Sequence, residues 1–336
     1  MDAPTRSRGP HGPRAALGRR IVEFARRAPS VHNTQPWAWR IGDGTLDLYA
    51  DRARQLPVAD PDGRLLTISC GAALHYALAA AAAAGRPAEP VMRPNRSDPD
   101  LLASIRLPAA ARPAAVTREA TAHAELLAAR ATDRRRFIGW PIPSSLLQGL
   151  TTGAAAGGAS AVPLPNAAAR VRVELLMSRA MATERSDPRF AAELGRWTHR
   201  ASDDGVPRGN AVPPAADGLD AGWPSRFGGE DGEAGEWTLA PRADGIVVIV
   251  TAEETPAAWL AAGDVLCRLW ADAMAHDLSL VPLSEIVEVA ETREVLHGVV
   301  GAAGYPALVV RIGWQEISRS ALPRTPRRPL EDLLRT

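Results

Sequence analysis

Residues 28–37 read Ala28-Pro29-Ser30-Val31-His32-Asn33-Thr34-Gln35-Pro36-Trp37. Pro29 ends the helix before it, because proline has no N–H and clashes with the preceding turn. Trp37 opens a run with strand character. Between them, Ser30, Asn33 and Gln35 put one hydroxyl and two amides close together. Such groups can cap a turn by bonding their own backbone. They can equally offer donors and acceptors to a polar heterocycle edge or a polyol chain. Residue types alone leave both readings open.

Working outward, the N-terminal side carries Leu17, Ile21, Phe24, Ala25 and Ala28 on one stripe, which predicts a helix over about 15–28. Residues 1–14 are rich in Pro, Gly and Arg and read as a disordered tail. On the C-terminal side, Trp37–Ile41 and Leu46–Ala50 flank Gly42-Asp43-Gly44, a hairpin signal. A long Ala-rich helix is predicted from about Asp62 to Ala84, closed by Gly85, and a weak strand at Ser104–Leu107.

A second half begins near residue 116. Helices are predicted at Val116–Arg130, Pro143–Leu150, Asn166–Thr183 and Glu285–Val300. The third of these is expected to bury Val171, Leu175, Ser178 and Met181. Thr255-Pro256 starts a helix bearing Trp259, Leu266, Trp270 and Met274. Ile246–Val250 and Ala307–Ile312 read as strands buried on both faces. Residues 201–245 are dense in Gly and Pro and acidic, and a loop of that length reads as a lid or a disordered segment. Its Asp203-Asp204 pair reads as solvated. Helices, strands and hairpins without a repeating βαβ unit argue for α+β.

Composition narrows the chemistry. All 39 basic residues among the 336 are Arg, which removes Schiff-base lysine chemistry and a Walker A loop. Anion binding falls to Arg, whose planar fork grips phosphate bidentately. A net charge of +1 gives no electrostatic reason to expect nucleic acid. Cys70 and Cys267 make no metal spacing. His11, His32, His75, His123, His199, His276 and His297 are scattered, so no metal site is expected. No GxGxxG, GxSxG or HExxH motif occurs. The chain lacks a signal peptide and a membrane span by pattern, and reads as cytoplasmic.

Two arginine clusters stand out: Arg130-Ala131-Thr132-Asp133-Arg134-Arg135-Arg136, and Arg324 with Arg327-Arg328. Arg-x-Thr-x-Arg can set two guanidinium groups and a hydroxyl around one phosphate. In so Arg-rich a chain, a solvated charged face is the competing reading.

These segments together resemble the nitroreductase family. Pro29-Ser30-x-x-Asn33-x-Gln35-Pro36-Trp37 looks like its flavin-edge motif, and Arg130-x-Thr132-x-Arg134 like its phosphate motif, with Thr for Ser. Gly304-Tyr305-Pro306 with Val309–Gly313 resembles its late strand, and Arg327-Arg328-Pro329-Leu330-Glu331 its closing phosphate segment. Over about 15–335 the chain most resembles the long, Acg-type branch. Supporting segments are Ala50-Asp51-Arg52, Gln55-Leu56-Pro57, Ile68–Ala73 and Asp204-Gly205-Val206-Pro207.

Ordinary members of that family place the phosphate motif first and build each FMN site from two subunits. The reversed order here implies two tandem halves, about 15–115 and 116–336, folded as an intramolecular pseudo-dimer with mixed or antiparallel sheet flanked by helices. The first half would bring Pro29, Ser30, Val31, His32 and Asn33 to one FMN. The second would bring Arg130, Thr132, Arg134, Arg324, Arg327 and Arg328. Pro282-Leu283-Ser284 resembles the stretch that passes the flavin N5 edge, without the usual glycine. The resemblance implies an FMN-dependent oxidoreductase passing hydride from NAD(P)H to a nitroaromatic, quinone or related acceptor. The alternative is a protein that holds FMN without nicotinamide turnover because the 201–245 segment covers it. The expected partner is a small-molecule acceptor, with no nucleic acid or membrane, in a monomer or weak homodimer. No residue is singled out as catalytic.

Overall fold

The computed structural model describes residues 12–108, 115–132, 134, 137–138, 140–164, 166–198, 202–207, 210, 245–314 and 324–335. Helix α1 (Pro13–Ala25) starts at a proline, which the first turn of a helix accepts because its N–H has no partner there. Strands β1 (Trp37–Ile41) and β2 (Thr45–Ala50) form the expected hairpin. Helix α2 (Arg64–Ala83) follows, then β3 (Pro90–Met92) and β4 (Leu101–Arg106). These strands make one antiparallel sheet in the order β1-β2-β4-β3.

Helices α3 (Arg118–Ala129) and α4 (Ser144–Gly153) lead to β5 (Ala159–Pro163), α5 (Ala167–Ser186) and α6 (Pro188–Trp197). Then come β6 (Gly245–Thr251), α7 (Pro256–Ala275), β7 (Leu278–Leu283), α8 (Glu285–Glu288), α9 (Ala290–Val300) and β8 (Tyr305–Trp314). The second sheet runs β5-β6-β8-β7, again antiparallel. Both sheets therefore use the order first, second, fourth, third. Each carries a long helix between its second and third strands.

Those two helices, α2 and α7, pack closely against each other between the two sheets' cores. Gly71 and Gly263 hold the same place in them. A Cβ on Gly71 would lie 2.2 Å from the Leu260 carbonyl oxygen, and one on Gly263 would lie 2.2 Å from that of Ile68. Only glycine permits so close a crossing of two backbones. α2 is also, among the described residues, the one helix long and apolar enough to cross a membrane, yet most of it is buried in this contact. Its apolar length is that of a core helix.

Each sheet has its own core. Around the first pack Ile21, Trp37, Trp39, Leu48, Tyr76 and Ile105; around the second, Val173, Met177, Val248, Trp270 and Leu296. The chain then returns to the first sheet. Leu333 is buried there, Trp39 bridges Leu334 in parallel, and the Arg335 N–H donates to the Trp39 carbonyl at 2.7 Å. This crossing carries the closing arginines back to the Pro29–Trp37 turn.

Three features depart from the sequence reading. Helix α5 buries Val173, Leu176, Met177, Ala180 and Met181, while Val171 and Leu175 are 36% and 61% exposed. Contact with α8 and α9 selects the face in a helix whose own amphipathic pattern is weak. The single helix expected over Glu285–Val300 breaks at Val289, which is extended with φ −91 and ψ 121. The 201–245 segment lies largely outside the described residues. Its described part, 202–207, is docked, and Asp204 is buried in an ion pair with Arg54 instead of solvated.

Candidate functional site

The Pro29–Trp37 turn is strained and heavily tethered. His32, Asn33 and Gln35 have φ of 46, 55 and 49, a left-handed region that side-chain-bearing residues enter at a cost. Local bonds offset part of that cost, since Ser30 Oγ accepts from the Gln35 N–H at 3.0 Å. Distant bonds offset the rest. The Val31 N–H donates to Ser69 Oγ on α2 at 3.2 Å. Asn33 Nδ2 donates to the carbonyls of Gly205 at 2.9 Å and Pro326 at 3.1 Å. Gln35 Nε2 donates to the Asp203 carbonyl at 3.0 Å, and its Oε1 accepts from the Arg328 N–H at 2.9 Å. The two amides thus tether the turn, and Pro29, Ser30, Val31 and His32 present its other face.

That face opens on a cavity of about 960 Å³, mouth included. Pro29, Ser30, Val31 and His32 form one side. Leu65, Ile68, Ser69 and Ala72 of α2 form another, and Val281–Glu285 with Arg311 close it. The walls are more apolar than polar, with Ser30, Ser69, Ser284, Glu285 and Arg311 among the apolar side chains. This is the pattern of a pocket for a flat, partly polar body. Pro282, Leu283 and Ser284 line it as well.

A second cavity shares Thr132 with the first, as a residue that lines both. Its wall is dominated by Arg26, Arg27, Arg130, Arg324 and Arg327. Arg130 is oriented on three sides. Its Nε donates to the Tyr76 hydroxyl at 3.0 Å, its Nη1 to Thr132 Oγ1 at 3.3 Å, and its guanidinium lies 4.6 Å from the Trp270 ring centroid. Tyr76 donates in turn to the Leu127 carbonyl at 3.1 Å, and burial pushes its phenol up to about 12.

Arg327 is the most telling group. Burial, and then the neighbouring Arg130 charge, pull its pKa down to about 9. Its Nη1 donates to Asn33 Oδ1 at 2.8 Å and to Thr325 Oγ1 at 2.7 Å, yet its Nε is buried with no hydrogen-bond partner. Its Nη2 donates to the Arg27 carbonyl at 3.1 Å, and the neighbouring Arg130 gives the cavity a second cation, an arrangement that suits an anion. The donor set is that of a phosphate site: guanidinium forks with the Thr132 hydroxyl.

The sequence-predicted residues divide accordingly. Pro29, Ser30, Val31 and His32 line the first cavity, as does Arg134, whose Nη1 donates to the Asn210 carbonyl at 3.5 Å. Arg130, Arg324 and Arg327 line the second, and Thr132 joins the two. Asn33 lines neither cavity and orients Arg327. Arg328 is turned away, donating to the Gln35 carbonyl at 3.1 Å and pairing with Asp51 at 3.4 Å. Unanticipated were Arg26 and Arg27 in the second cavity, and Glu285 and Arg311 in the first. Of these four, Arg311 lay in a segment with a sequence signal, Val309–Gly313. Away from both cavities, Cys70 and Cys267 are buried and unpaired, and burial pushes both thiols up, which keeps them inert.

No family model matches the chain. Similar proteins do. A Mycobacterium tuberculosis protein provisionally named as an NAD(P)H nitroreductase, Rv3131, is 34% identical over 99% of this chain and 97% of its own length. A second from that organism, acg, carries the same provisional name and is 30% identical over 93% of each chain. A third, the uncharacterised Rv3127, is 28% identical over 93% of this chain and 91% of its own. Two solved structures overlap it loosely. One is a Bacteroides fragilis nitroreductase with bound FMN, at TM-score 0.39 and 12% identity over 61% of this chain and 94% of that one. The other is the FMN-dependent nitroreductase NfnB of Mycobacterium smegmatis in complex with NADPH, at 0.41 and 15% over 65% and 99%.

Proposed function

The chain belongs to the nitroreductase family, in the branch of Rv3131 and acg, and on that premise we propose an FMN-dependent oxidoreductase that passes hydride from NAD(P)H to a nitroaromatic, quinone or related acceptor. The observation that carries the reading is a cavity lined by Arg130, Arg324 and Arg327, which shares Thr132 with the cavity beside the Pro29–His32 turn. A phosphate ester joined to a flat heterocycle matches that pair of cavities in charge and shape.

Bound FMN would supply the hydride chemistry. The chain's own residues hold and tune it. Arg130, Arg327 and Thr132 would grip the phosphate by charge-assisted bonds. The Pro29–His32 turn and Pro282–Ser284 would flank the ring. The charged or titratable residues lining the first cavity are His32, Arg134, Glu285 and Arg311. That is little acid–base equipment, as suits a reaction in which the cofactor carries the difficult step. Arg311 is buried, and a fixed cation there favours an electron-rich ring.

The repeated strand order, the reciprocal glycine contacts of α2 and α7, and the return of the C-terminal segment to β1 support two tandem halves, about 15–115 and 116–336, arranged as a pseudo-dimer with one FMN per chain. The cytoplasm, which supplies reduced nicotinamide, is the compartment this reading requires.

The test is an absorption spectrum of the purified protein incubated with FMN, followed by NADPH without oxygen. Retained flavin that bleaches supports the oxidoreductase. Flavin bleached by dithionite but not by NADPH or NADH would favour storage of FMN. Failure to retain FMN would overturn the reading.

A further inference from the structure

The arginine-lined cavity carries more charge than one phosphate ester neutralises. Arg27, Arg130, Arg324 and Arg327 all line it, and among the described residues none of the four has a carboxylate in ion-pair contact. Arg26, the fifth, is already paired with Glu23 at 2.7 Å. A phosphate monoester brings about two negative charges at neutral pH, so about half of this unpaired charge remains.

The charge is also graded by depth. Arg327 and Arg130 are half-buried, and Arg130 is held between Tyr76 and Trp270. Arg27 and Arg324 are exposed, at the rim. The cavity takes in about 810 Å³, its open mouth included. Leu127, Ala128 and Ala131 give it an apolar wall beside the arginines.

We propose that this rim, Arg27 with Arg324, binds a second phosphoryl group carried by a nucleotide, outside the flavin phosphate held by Arg130 and Arg327. The inference rests on the flavin reading above and names a further subsite of the same region. Two sources share the chemistry: the adenylate half of a flavin dinucleotide, and the adenylate half of the nicotinamide donor. In either case the two exposed guanidinium groups meet phosphate oxygens as bidentate forks.

Calorimetric titrations distinguish the sources. FMN and FAD are titrated into flavin-free protein, and ADP into FMN-loaded protein, each with wild type and with Arg27→Ala/Arg324→Ala. FAD binding about tenfold tighter than FMN assigns the rim to a flavin dinucleotide. ADP binding to the FMN-loaded protein assigns it to the nicotinamide donor. In both cases the double variant loses about tenfold more affinity for the adenylate-bearing ligand than for FMN. Circular dichroism of the variant checks the fold, which two exposed side chains do not support. The proposal is overturned if FAD binds no tighter than FMN and ADP fails to bind, or if the variant weakens all ligands equally. Failure of FMN itself to bind would remove the flavin reading and this one with it.

Discussion

Arg327 Nη1 donates to Asn33 Oδ1 at 2.8 Å across 294 residues of sequence. This bond joins the closing arginine segment to the turn after the first helix. Asn33 therefore acts at one remove: its carboxamide oxygen fixes the guanidinium, and its Nδ2 ties the turn to Gly205 and Pro326.

Arg327→Met should separate binding from folding. The methionine keeps most of the buried volume and removes a cation whose pKa burial pulls down to about 9. The flavin-free protein is expected to melt within a few degrees of wild type. Loss of a charge-assisted contact, worth about 1.5–3 kcal/mol, should weaken FMN binding by roughly ten- to a hundredfold. The stabilisation that FMN gives the wild type should shrink accordingly. Thermal melts with and without FMN check both. Equal loss of stability in the two states would make Arg327 a structural residue only.

Much of this site was legible because its motifs are contiguous. Pro29–Trp37 and Arg130-x-Thr132-x-Arg134 each carry their residues within a few positions. Arg26 and Arg27 at the end of α1, Glu285 in α8 and Arg311 in β8 come together from three separate places in the chain, and no contiguous motif of polar residues marks them. Among the elements, β6 and β8 read plainly from β-branched runs. β5 (Ala159-Ser160-Ala161-Val162-Pro163) has little β propensity, and β7 is interrupted by Pro282, so both were hidden. The Asp203-Asp204 pair misled for a related reason. Gly- and Pro-rich composition marks a loop, but says nothing of what the loop docks on.

That docking rests on Arg54. Its Nε donates to the Thr34 carbonyl at 2.6 Å, its Nη2 pairs with Asp204, and its guanidinium lies 5.3 Å from the Trp197 ring centroid. Burial pushes the Arg54 pKa down, and Arg328 adds to the effect. Asp204→Ala leaves this cation largely enclosed and unpaired. It should destabilise the protein by about 2–4 kcal/mol and loosen the turn that lines the first cavity. Arg54→Met/Asp204→Leu should cost less than Asp204→Ala alone. A double-mutant cycle by urea unfolding decides this, and simple additivity would mean that the pair is not coupled.

The helix crossing gives a test with opposite signs. Gly71→Ala puts a methyl 2.2 Å from the backbone oxygen of Leu260, a contact that no side-chain rotation relieves. A loss of about 2–3 kcal/mol is expected. Gly298, exposed in α9, has nothing within 4 Å of its missing Cβ. Gly298→Ala should therefore stabilise by about 0.5–1 kcal/mol through helix propensity. Matching effects of the two substitutions would mean that the α2–α7 approach is looser than described.

The last prediction concerns acid. His75 Nδ1 lies 2.5 Å from Asp264 Oδ1, and its Nε2 lies 2.8 Å from His123 Nε2, which ties α3 to α2 and α7. The two Nε2 atoms can share one proton at that distance but not hold two. Burial first, then the charges of His75 and Arg268, lower the His123 pKa to about 4, against the opposing pull of Asp264. A folded pKa below the unfolded 6.5 means that the unfolded chain takes up the proton first. The contribution of His123 to stability is therefore complete above about 6.5, falls as the pH drops to about 4, and is level below that. Since Arg130 caps α3, loosening it should also disturb the arginine-lined cavity. FMN binding alone is ambiguous here, because a phosphate monoester itself gains a proton near pH 6. Melting the flavin-free protein from pH 7 to 4 avoids that overlap. His123→Gln, which can keep one hydrogen bond to His75 without titrating, should flatten the profile in this window. An unchanged slope would place the acid sensitivity elsewhere.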